Sequence, residues 1–500
     1  MRAICFVGRL TTLALSLAAF AACSASGGDM PASDDVVADT GAHGGHGTAG
    51  MPMHGDLPPA PPMLDVEPWE GDLALAEFED ENPDPGVLEV SLTAASSAVE
   101  YIAGRSTMAW AYNGRVPGPL LRARVGDRII VHFTNELPEE TTIHWHGMRV
   151  PAAMDGTVAM QAPVQPGASF DYEFTALDAG TFWYHPHVRS DVQVEQGLYG
   201  AIVVEDPSEP LADIPGDVVM LSDVLLDPVT FELDDSTDVR TMMMGREGNL
   251  VLVNGTPSNV RVPARAGEAR RMRILNAASA RFFDLMPHGG TMIRIGGDRG
   301  LLEQPEEVDH LLLANGERAD VLVWTDAPGA TATLVAMPYE RAEGAGATAL
   351  VELLHLVADD RDPVPRIELP ETLVAAQDGA PVRAARTIRL SEGMMGHGFR
   401  FLINGAAFPD VPVLDGTLGA SERWSIVNES SMDHPFHLHG FFFRPAGTRE
   451  WKDSIDVPGD STVVIEPDFD DRDGAAGTWM YHCHILGHAE GGMMGEVTTR

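Results

Sequence analysis

The stretch Gly477-Thr-Trp-Met-Tyr-His-Cys-His-Ile-Leu-Gly-His488 puts a cysteine between two histidines at the end of an apolar strand. Side chains along a β-strand alternate between its two faces, so His482 and His484 face one side and Cys483 faces the other. The stretch therefore predicts two metal sites on opposite faces of one β-strand, joined by one or two covalent links.

Three other short segments carry histidines at similar spacing, and they read His144-Trp-His146, His185-Pro-His187 and His434-Pro-Phe-His437-Leu-His439. Cys483, His434, His488 and Met493 together offer a thiolate, two imidazoles and a thioether, which is the ligand set of a blue-copper electron-transfer site. We therefore assign them to a mononuclear type 1 copper. The eight remaining histidines form four pairs, which suit a cluster of three copper ions with open positions for oxygen. Histidines that only fill a core or a surface would not match in four places at once.

In this order and at this spacing, the four segments resemble the four copper signatures of the multicopper oxidases, the family of laccases and cuprous oxidases. The resemblance covers the chain from about Gly86 to Arg500. It implies that His144 and His437 hold a type 2 copper. It implies that a type 3 pair of copper ions is held by His146, His185, His187, His439, His482 and His484. The expected cofactors are four copper ions, one of type 1, one of type 2 and two of type 3.

A second pattern occurs three times along the chain. Each copy contains, in this order, an Asn-Gly turn, a stretch rich in Val and Pro, a Gly, and an alternating strand that ends in Asn. The three copies span residues 113–135, 254–276 and 404–428. The copies begin about one domain length apart. Short alternating strands between Gly, Pro, Asn and Asp turns predict an all-β protein. The resemblance implies three tandem cupredoxin-like Greek-key β-barrel domains.

The repeats also predict the domain boundaries. We expect domain 1 at 85–207, domain 2 at 208–358, a linker at 359–382 and domain 3 at 383–500. Only domains 1 and 3 carry the histidine segments, so the three-copper cluster should lie where these two domains meet. Domain 2 would serve as a spacer or a clamp.

The first 23 residues have the composition of a secretory signal peptide, because two arginines precede an apolar run that ends in small residues. The sequence Ala21-Ala22-Cys23-Ser24 resembles a bacterial lipobox, which predicts lipidation of Cys23, with ordinary signal cleavage as the alternative. We expect an exported protein that is either periplasmic or anchored to the outer membrane through lipidated Cys23, with the cell surface as a further alternative.

Residues 24–84 are rich in Gly, Pro, Ala and acidic side chains, which predicts a flexible linker. Imidazole and thioether groups within it could capture copper, or they could be incidental to a low-complexity segment. These groups belong to His43, His46, Met51, Met53 and His54.

Charge and cysteine usage narrow the choice of partners. A net charge of −41 argues against nucleic acid or an anionic membrane surface as a partner. Only three cysteines are present, and two lie in or beside the signal peptide, which excludes a disulfide framework. We expect a monomer whose partners are dioxygen and a small reducing substrate.

Reduction of dioxygen to two waters takes four electrons and four protons, and four copper ions suit this requirement. We expect Cys483 to pass electrons toward the cluster through its neighbours. Asp155, nine positions after His146, matches the acidic residue that the family uses to steer protons; taken alone, it reads as a loop aspartate before a glycine. Many bacterial relatives carry a glutamate directly after the last type 1 histidine, where this chain has Ala489, so Glu490 is the candidate second proton donor.

The sequence leaves two classes of reducing substrate open. Cuprous oxidases of the family carry a methionine-rich insert with Met and Asp ligands; here Met432 stands at a matching place, but Ser430 replaces the acidic partner. The runs Met242-Met243-Met244 and Met394-Met395-Gly-His397 are short and favour core packing or loop filling. We expect laccase-like oxidation of phenols or other small aromatic reductants, with periplasmic cuprous oxidation for copper tolerance as the alternative. A copper-binding storage or structural protein without turnover is the alternative of another class.

Overall fold

The computed structural model describes residues 57–67, 73–214, 216–342, 345–347, 349–396 and 398–500. The predicted signal peptide, Cys23 and the linker residues His43, His46, Met51, Met53 and His54 lie outside the described residues, and so does His397. Over the described ranges, no helix is both long and apolar enough to cross a membrane.

Almost all regular structure is β-strand, and the strands form three consecutive groups, which we call domains 1, 2 and 3. Domain 1 contains β1 (Val87–Ile102), β2 (Arg105–Tyr112), β3 (Gly118–Arg124), β4 (Arg128–Asn135), β5 (His144–His146), β6 (Ser169–Thr175), β7 (Gly180–His185), α1 (Ser190–Gln193) and β8 (Gly200–Glu205). Domain 2 contains β9 (Gly216–Val224), α2 (Val239–Met244), β10 (Leu250–Val253), β11 (Thr256–Pro257), β12 (Val260–Ala264), β13 (Arg270–Asn276), β14 (Phe283–His288), β15 (Thr291–Gly297), β16 (Gly300–Glu307), β17 (Leu311–Leu313), β18 (Arg318–Trp324), β19 (Thr331–Met337), β20 (Tyr339–Ala342), β21 (Ala345–Ala347) and β22 (Val351–Ala358). Domain 3 contains β23 (Val382–Met395), β24 (Gly398–Ile403), β25 (Leu414–Gly416), β26 (Ala420–Asn428), β27 (His434–Leu438), β28 (Phe443–Pro445), β29 (Ser454–Val457), β30 (Thr462–Phe469), β31 (Gly477–Cys483), α3 (Leu486–Glu490) and β32 (Met494–Thr499).

Each domain is built from two main sheets that enclose a hydrophobic core. In domain 1 the strand orders are β2-β1-β4-β6 and β3-β8-β7-β5. In domain 2 they are β11-β10-β9-β13-β18-β15-β16 and β12-β22-β19-β14-β17, with a separate β20-β21 pair. In domain 3 they are β24-β23-β26-β30-β28 and β25-β32-β31-β27-β29. The all-β prediction is therefore confirmed. Residues 359–381, between the strands of domains 2 and 3, form neither helix nor strand.

The described part of the predicted flexible linker packs against the domains. Leu73 is buried in the core of domain 2, and Glu77 pairs with Leu120 of β3 in a parallel bridge. Burial of apolar side chains offsets the entropy cost of ordering this segment. The flexible-linker interpretation therefore does not hold for residues 73–84.

The sequence repeat corresponds to a repeated strand pairing. In each domain the first long strand runs parallel to the strand that ends in the repeated asparagine. The paired residues at that end are Ala94 with Asn135, Leu221 with Asn276 and Leu390 with Asn428. The Asn of every Asn-Gly turn has a φ near +50°, in the left-handed region that Asn and Gly tolerate best. The three domains are thus three copies of one structural unit.

The three repeated asparagines stabilise the loops that follow their strands. Asn276, which is fully buried, donates from Nδ2 to the carbonyls of Arg281 and Leu313, at 2.9 Å each. Its Oδ1 accepts from the backbone N–H of Ala278 at 3.0 Å. Asn135 and Asn428 make the same kind of contacts in domains 1 and 3. The side chain thus satisfies backbone groups that have no strand partner.

Replacing Asn276 with alanine should lower the free energy of unfolding by about 2–4 kcal/mol, because buried backbone groups lose their hydrogen-bond partners. Chemical denaturation of the metal-free protein measures this effect without a contribution from copper. Asn276 suits the test because domain 2 carries none of the histidine segments. A change below about 0.5 kcal/mol, typical of a surface position, would contradict the structural role.

The strands that carry the histidine segments are buried on both faces. β4 alternates between buried and partly exposed residues, as expected for a strand with one face on the core. Every residue of β7 is buried, and β31 is buried from Trp479 onward. One face of these strands packs on the domain core, and the other faces the candidate site between domains 1 and 3.

Candidate metal centre

His434, Cys483 and His488 meet inside domain 3, where all three are fully buried. The Cys483 Sγ lies 3.4 Å from His434 Nδ1 and 3.8 Å from His488 Nδ1, and the two Nδ1 atoms are 3.3 Å apart. β27 carries His434, the end of β31 carries Cys483, and α3 carries His488. The geometry therefore brings a thiol and two imidazole nitrogens to one point.

Met493 lies beside this group. Its backbone N–H donates to the His488 carbonyl at 2.9 Å, and its carbonyl accepts from the Cys483 N–H at 3.1 Å. Met493 belongs to the same hydrophobic cluster as Cys483, whereas Met494 packs in a separate cluster with Met480 and Ala489. Of the two neighbouring methionines, Met493 is the one placed with the cysteine.

The chemistry of Cys483 depends on a bound cation. Burial raises the pKa of its thiol to about 12, so the thiol carries its proton at neutral pH when no cation is present. Burial lowers the pKa of His434 to about 3 and that of His488 well below its usual range, which keeps both imidazoles neutral at neutral pH. A soft metal ion would displace the thiol proton and find neutral imidazoles in place.

The eight other site histidines gather between domains 1 and 3. Three groups of three histidines have ligand atoms within 4.8 Å of one another. Two of them share no residue, and these are His146, His185 and His484, and His187, His439 and His482; the third combines His146 with His144 and His437. His144 and His437 lie beside them, with His437 stacked on His146 and His144 stacked on His439 at ring-centroid distances of 3.8 Å. All are buried. The predicted meeting of the four segments between domains 1 and 3 is thus what the structure shows.

The unpaired nitrogens of these rings test whether the site fits metal ions. Six buried ring nitrogens lack a hydrogen-bond partner, and they are His144 Nε2, His146 Nδ1, His185 Nε2, His437 Nε2 and both nitrogens of His484. Leaving this many polar atoms buried and unpaired would cost several kcal/mol. Metal coordination removes the cost, and neutral imidazole is a preferred ligand of copper. The donor set therefore fits copper ions.

The opposite ring nitrogens are occupied by the protein. His144 Nδ1 donates to the Asp155 carbonyl at 3.0 Å, and His439 Nδ1 donates to Asp155 Oδ2 at 2.9 Å. His437 Nδ1 donates to the Asp453 carbonyl at 2.9 Å, and His146 Nε2 donates to Asp453 Oδ1 at 3.1 Å. Such bonds fix the tautomer and orientation of a ring, and they leave the other nitrogen free for a metal.

The structure places Asp155 at the centre of the site. Its side chain is fully buried, and its Oδ1, 3.2 Å from His144 Nδ1, has no hydrogen-bond partner. The next residue, Gly156, has a φ of +79°, and a Cβ there would overlap the Ile143 carbonyl. This tight turn holds Asp155 between the two histidines. The predicted role of Asp155 in steering protons stays a prediction.

Glu490 occupies a different place. Its Oε1 accepts hydrogen bonds from the N–H and hydroxyl of Ser190, at 2.8 and 3.0 Å, and so connects α3 to α1. It also lines a cavity of about 300 Å³ next to the His434, Cys483 and His488 group. Its predicted role as a second proton donor stays a prediction.

The methionines considered from the sequence have three different environments. Met432 is fully buried, and its Sδ accepts from Arg341 Nη1 at 3.1 Å. Met243 and Met244 of α2 are buried, whereas Met242 is 40% exposed. Met394 and Met395 are exposed at the end of β23, so neither fills the core.

Two functional candidates were missed from the sequence. Asp453 precedes β29, and Arg318 opens β18 in domain 2; both are buried, and Arg318 Nη1 donates to Asp453 Oδ1 at 2.7 Å. Burial tends to raise the pKa of Asp453, but the charge and hydrogen bonds of Arg318 hold it well below its usual range. In the sequence, each of the two appears only as a charged residue next to an apolar strand. This pattern is common on protein surfaces and does not indicate a functional site.

Comparison with known proteins identifies the family. Three segments, residues 93–209, 218–351 and 380–500, match models of multicopper oxidase domains. The chain is 31% identical to multicopper oxidase MmcO of Mycobacterium tuberculosis over 76% of this chain and 81% of that protein. It is 27% identical to laccase-1 of Trametes villosa over 81% of this chain and 88% of that protein. The solved structure of a Campylobacter jejuni multicopper oxidase, described as a metallo-oxidase, superimposes with a TM-score of 0.78 at 29% identity, covering 89% of this chain and 99% of that one. The chain therefore belongs to the multicopper oxidases, copper enzymes that oxidise a reductant with dioxygen as the acceptor.

Proposed function

We propose that this protein couples one-electron oxidation of a small aromatic reductant, such as a phenol, to four-electron reduction of dioxygen to water. The observation that carries the choice of reductant is the cavity of about 300 Å³ beside the buried His488. The cavity wall includes Phe401, whose ring stacks on the His488 ring at a centroid distance of 3.9 Å.

In this proposal the chain holds four copper ions. His434, Cys483, His488 and Met493 would hold type 1, His144 and His437 type 2, and the two three-histidine groups the type 3 pair. Bound copper supplies one-electron redox chemistry and open positions for dioxygen. Cys483 is the covalent neighbour of His482 and His484, so it connects the type 1 ligands to one ligand of each three-histidine group.

The cavity suits one small ring. Its volume is at the lower end of the range for small-molecule sites. It is lined by apolar side chains, among them Leu225, Leu233 and Phe399, and by both signs of charge. The charged groups are the carboxylates of Asp191, Glu195, Asp234, Asp235 and Glu490 and the guanidinium groups of Arg246 and Arg400. A phenol would place its ring against the apolar wall and donate its hydroxyl proton to a carboxylate.

Other contacts argue against a cuprous-ion site at the place suggested by the sequence. Met432 is fully buried, and its Sδ already accepts a hydrogen bond from Arg341. Ser430 Oγ lies 2.9 Å from His434 Nε2 and offers no carboxylate. One observation favours cuprous oxidation as the second candidate, because the thioether of the exposed Met242 lines the cavity together with five carboxylates.

Oxygen uptake by the copper-loaded protein tests the proposal. Uptake should be much faster with 2,6-dimethoxyphenol than with cuprous ion under the same conditions. Much faster uptake with cuprous ion would make the second candidate the function. Uptake with neither reductant would reopen the storage and structural alternatives.

Replacing Leu233 with tryptophan should fill the cavity and raise the KM for 2,6-dimethoxyphenol about 10-fold or more, the scale on which pocket shape discriminates substrates. The blue absorbance and the uptake of oxygen with an outer-sphere reductant should not change. The matched control is Leu177→Trp, because Leu177 is 40% exposed and does not line this cavity. An unchanged KM in Leu233→Trp would place the reductant elsewhere.

The location of the protein in the cell is also a proposal. We propose export, with attachment to a membrane through lipidated Cys23, on the basis of the signal-like first 23 residues and the lipobox-like sequence alone. Metabolic labelling with a fatty acid would test it, with Cys23→Ala as the control that removes the label.

A further inference from the structure

Arg318 of domain 2 is a buried charged side chain near the histidines. Its side chain is fully buried, and all five of its side-chain N–H groups have acceptors. Nε donates to the Thr181 carbonyl at 3.0 Å, and one N–H each of Nη1 and Nη2 donates to the carbonyls of Gly316 and Asp298, at 2.9 Å. The remaining two form a fork on the Asp453 carboxylate.

These acceptors come from all three domains. Thr181 lies on β7 of domain 1, Gly316 and Asp298 belong to domain 2, and Asp453 directly precedes β29 of domain 3. Domain 2 carries none of the histidine segments. It nevertheless supplies the guanidinium that is hydrogen-bonded to both domain 1 and domain 3. Domain 2 is more than a spacer.

The Asp453 carboxylate connects Arg318 to two site histidines. Its Oδ1 accepts from His146 Nε2 at 3.1 Å and lies 3.5 Å from His437 Nδ1, which donates to the Asp453 carbonyl. The nitrogens left free, His146 Nδ1 and His437 Nε2, have no hydrogen-bond partner. Ser454 Oγ donates to Asp453 Oδ1 at 2.9 Å and lies 3.2 Å from His146 Nε2 and 3.1 Å from His437 Nδ1. The orientation of Asp453, together with this hydroxyl, therefore sets where the two free nitrogens point.

We propose that Arg318 is a positioning residue for the copper cluster, because its fork holds Asp453 in the orientation that aims His146 and His437 at their metal ions. The inference rests on the copper assignment proposed above. It adds that domain 2 contributes to the cluster through a buried guanidinium.

The geometry explains why a guanidinium is needed. A lysine has three donors on one atom and cannot form two parallel bonds to one carboxylate while also reaching three carbonyls. The space is also closed, because a Cβ on Gly147, directly after His146, would overlap Arg318 Nη2 and lie 2.8 Å from Asp453 Oδ2. Arginine is therefore the side chain that fits both the acceptors and the space.

The test compares Arg318→Lys and Asp453→Asn with the wild-type protein, all loaded with copper. Blue absorbance reports the type 1 site, which lies away from Arg318. The type 2 electron paramagnetic resonance signal, and the copper retained after dialysis against a chelator, report His144 and His437. We expect normal blue absorbance in both variants and a loss of type 2 copper affinity of about 10–100-fold, as for other residues that orient metal ligands.

The matched control is Arg271→Lys, because Arg271 is a buried arginine whose Nε and Nη2 both donate to Asp320 Oδ2. Asp320 lies on the same strand as Arg318. This control should keep the type 2 signal. Wild-type signal and copper retention in Arg318→Lys or Asp453→Asn would overturn the proposal. So would a parallel loss of blue absorbance, which marks general unfolding. A wild-type protein without a type 2 signal would instead refute the copper assignment itself.

Discussion

Replacing Cys483 with serine should remove the blue absorbance and the oxygen uptake together. The thiolate is the soft ligand that selects copper at a type 1 site, and an alcohol is a poor substitute for it. Cys483 is also the only residue that belongs to this group and neighbours His482 and His484 in the chain, so its loss affects both sites. Visible absorbance, copper content and oxygen uptake with 2,6-dimethoxyphenol measure the effect.

The fold should survive this substitution. Cys483 and serine are close in size, and the buried Ser hydroxyl would cost about 1–3 kcal/mol if it found no partner. Metal bound by the two three-histidine groups should remain, because none of their ring nitrogens comes from Cys483. The matched control is Met494→Leu, at a buried sulfur outside the Cys483 cluster. Oxygen uptake retained in Cys483→Ser would refute the role of this residue as the link between the sites.

The fold and the histidine clusters were predictable because they depend on local patterns. A strand forces alternation, so His482, Cys483 and His484 could be assigned to two faces from the sequence alone. The three Asn-Gly repeats gave three copies of one unit, and the parallel pairing of Ala94 with Asn135 recurs in each.

Contacts between distant segments were not predictable. Arg318 and Asp453 are 135 residues apart, and nothing in either local sequence indicates that the two charges are buried together. The hydrogen bond from Arg341 to Met432 and the hydrogen bond from Ser190 to Glu490 likewise depend on how the domains pack. The candidate metal ligands follow a local pattern, whereas the residues placed to orient them depend on tertiary packing.

Replacing Asp155 with asparagine should slow oxygen reduction about 10²–10⁴-fold and leave the blue absorbance and copper content unchanged. An amide oxygen can still accept the hydrogen bond from His439 Nδ1, and His144 Nδ1 keeps its bond to the Asp155 carbonyl. The amide cannot exchange a proton, however, and the carboxylate Oδ1 that has no hydrogen-bond partner is the atom able to do so. The factor is that of a lost general acid or base.

Transient kinetics would separate proton supply from electron supply in Asp155→Asn. Anaerobic mixing with a reductant should bleach the blue colour as fast as in the wild type, because Asp155 makes no bond to the His434, Cys483 and His488 group. Recovery of the colour on adding oxygen should be slow. Asp155→Glu is the matched control, since it keeps an acid on a longer side chain and should restore part of the rate. Normal recovery in Asp155→Asn would move the proton role to another residue, whereas slow bleaching would mean that the substitution disturbs the type 1 site.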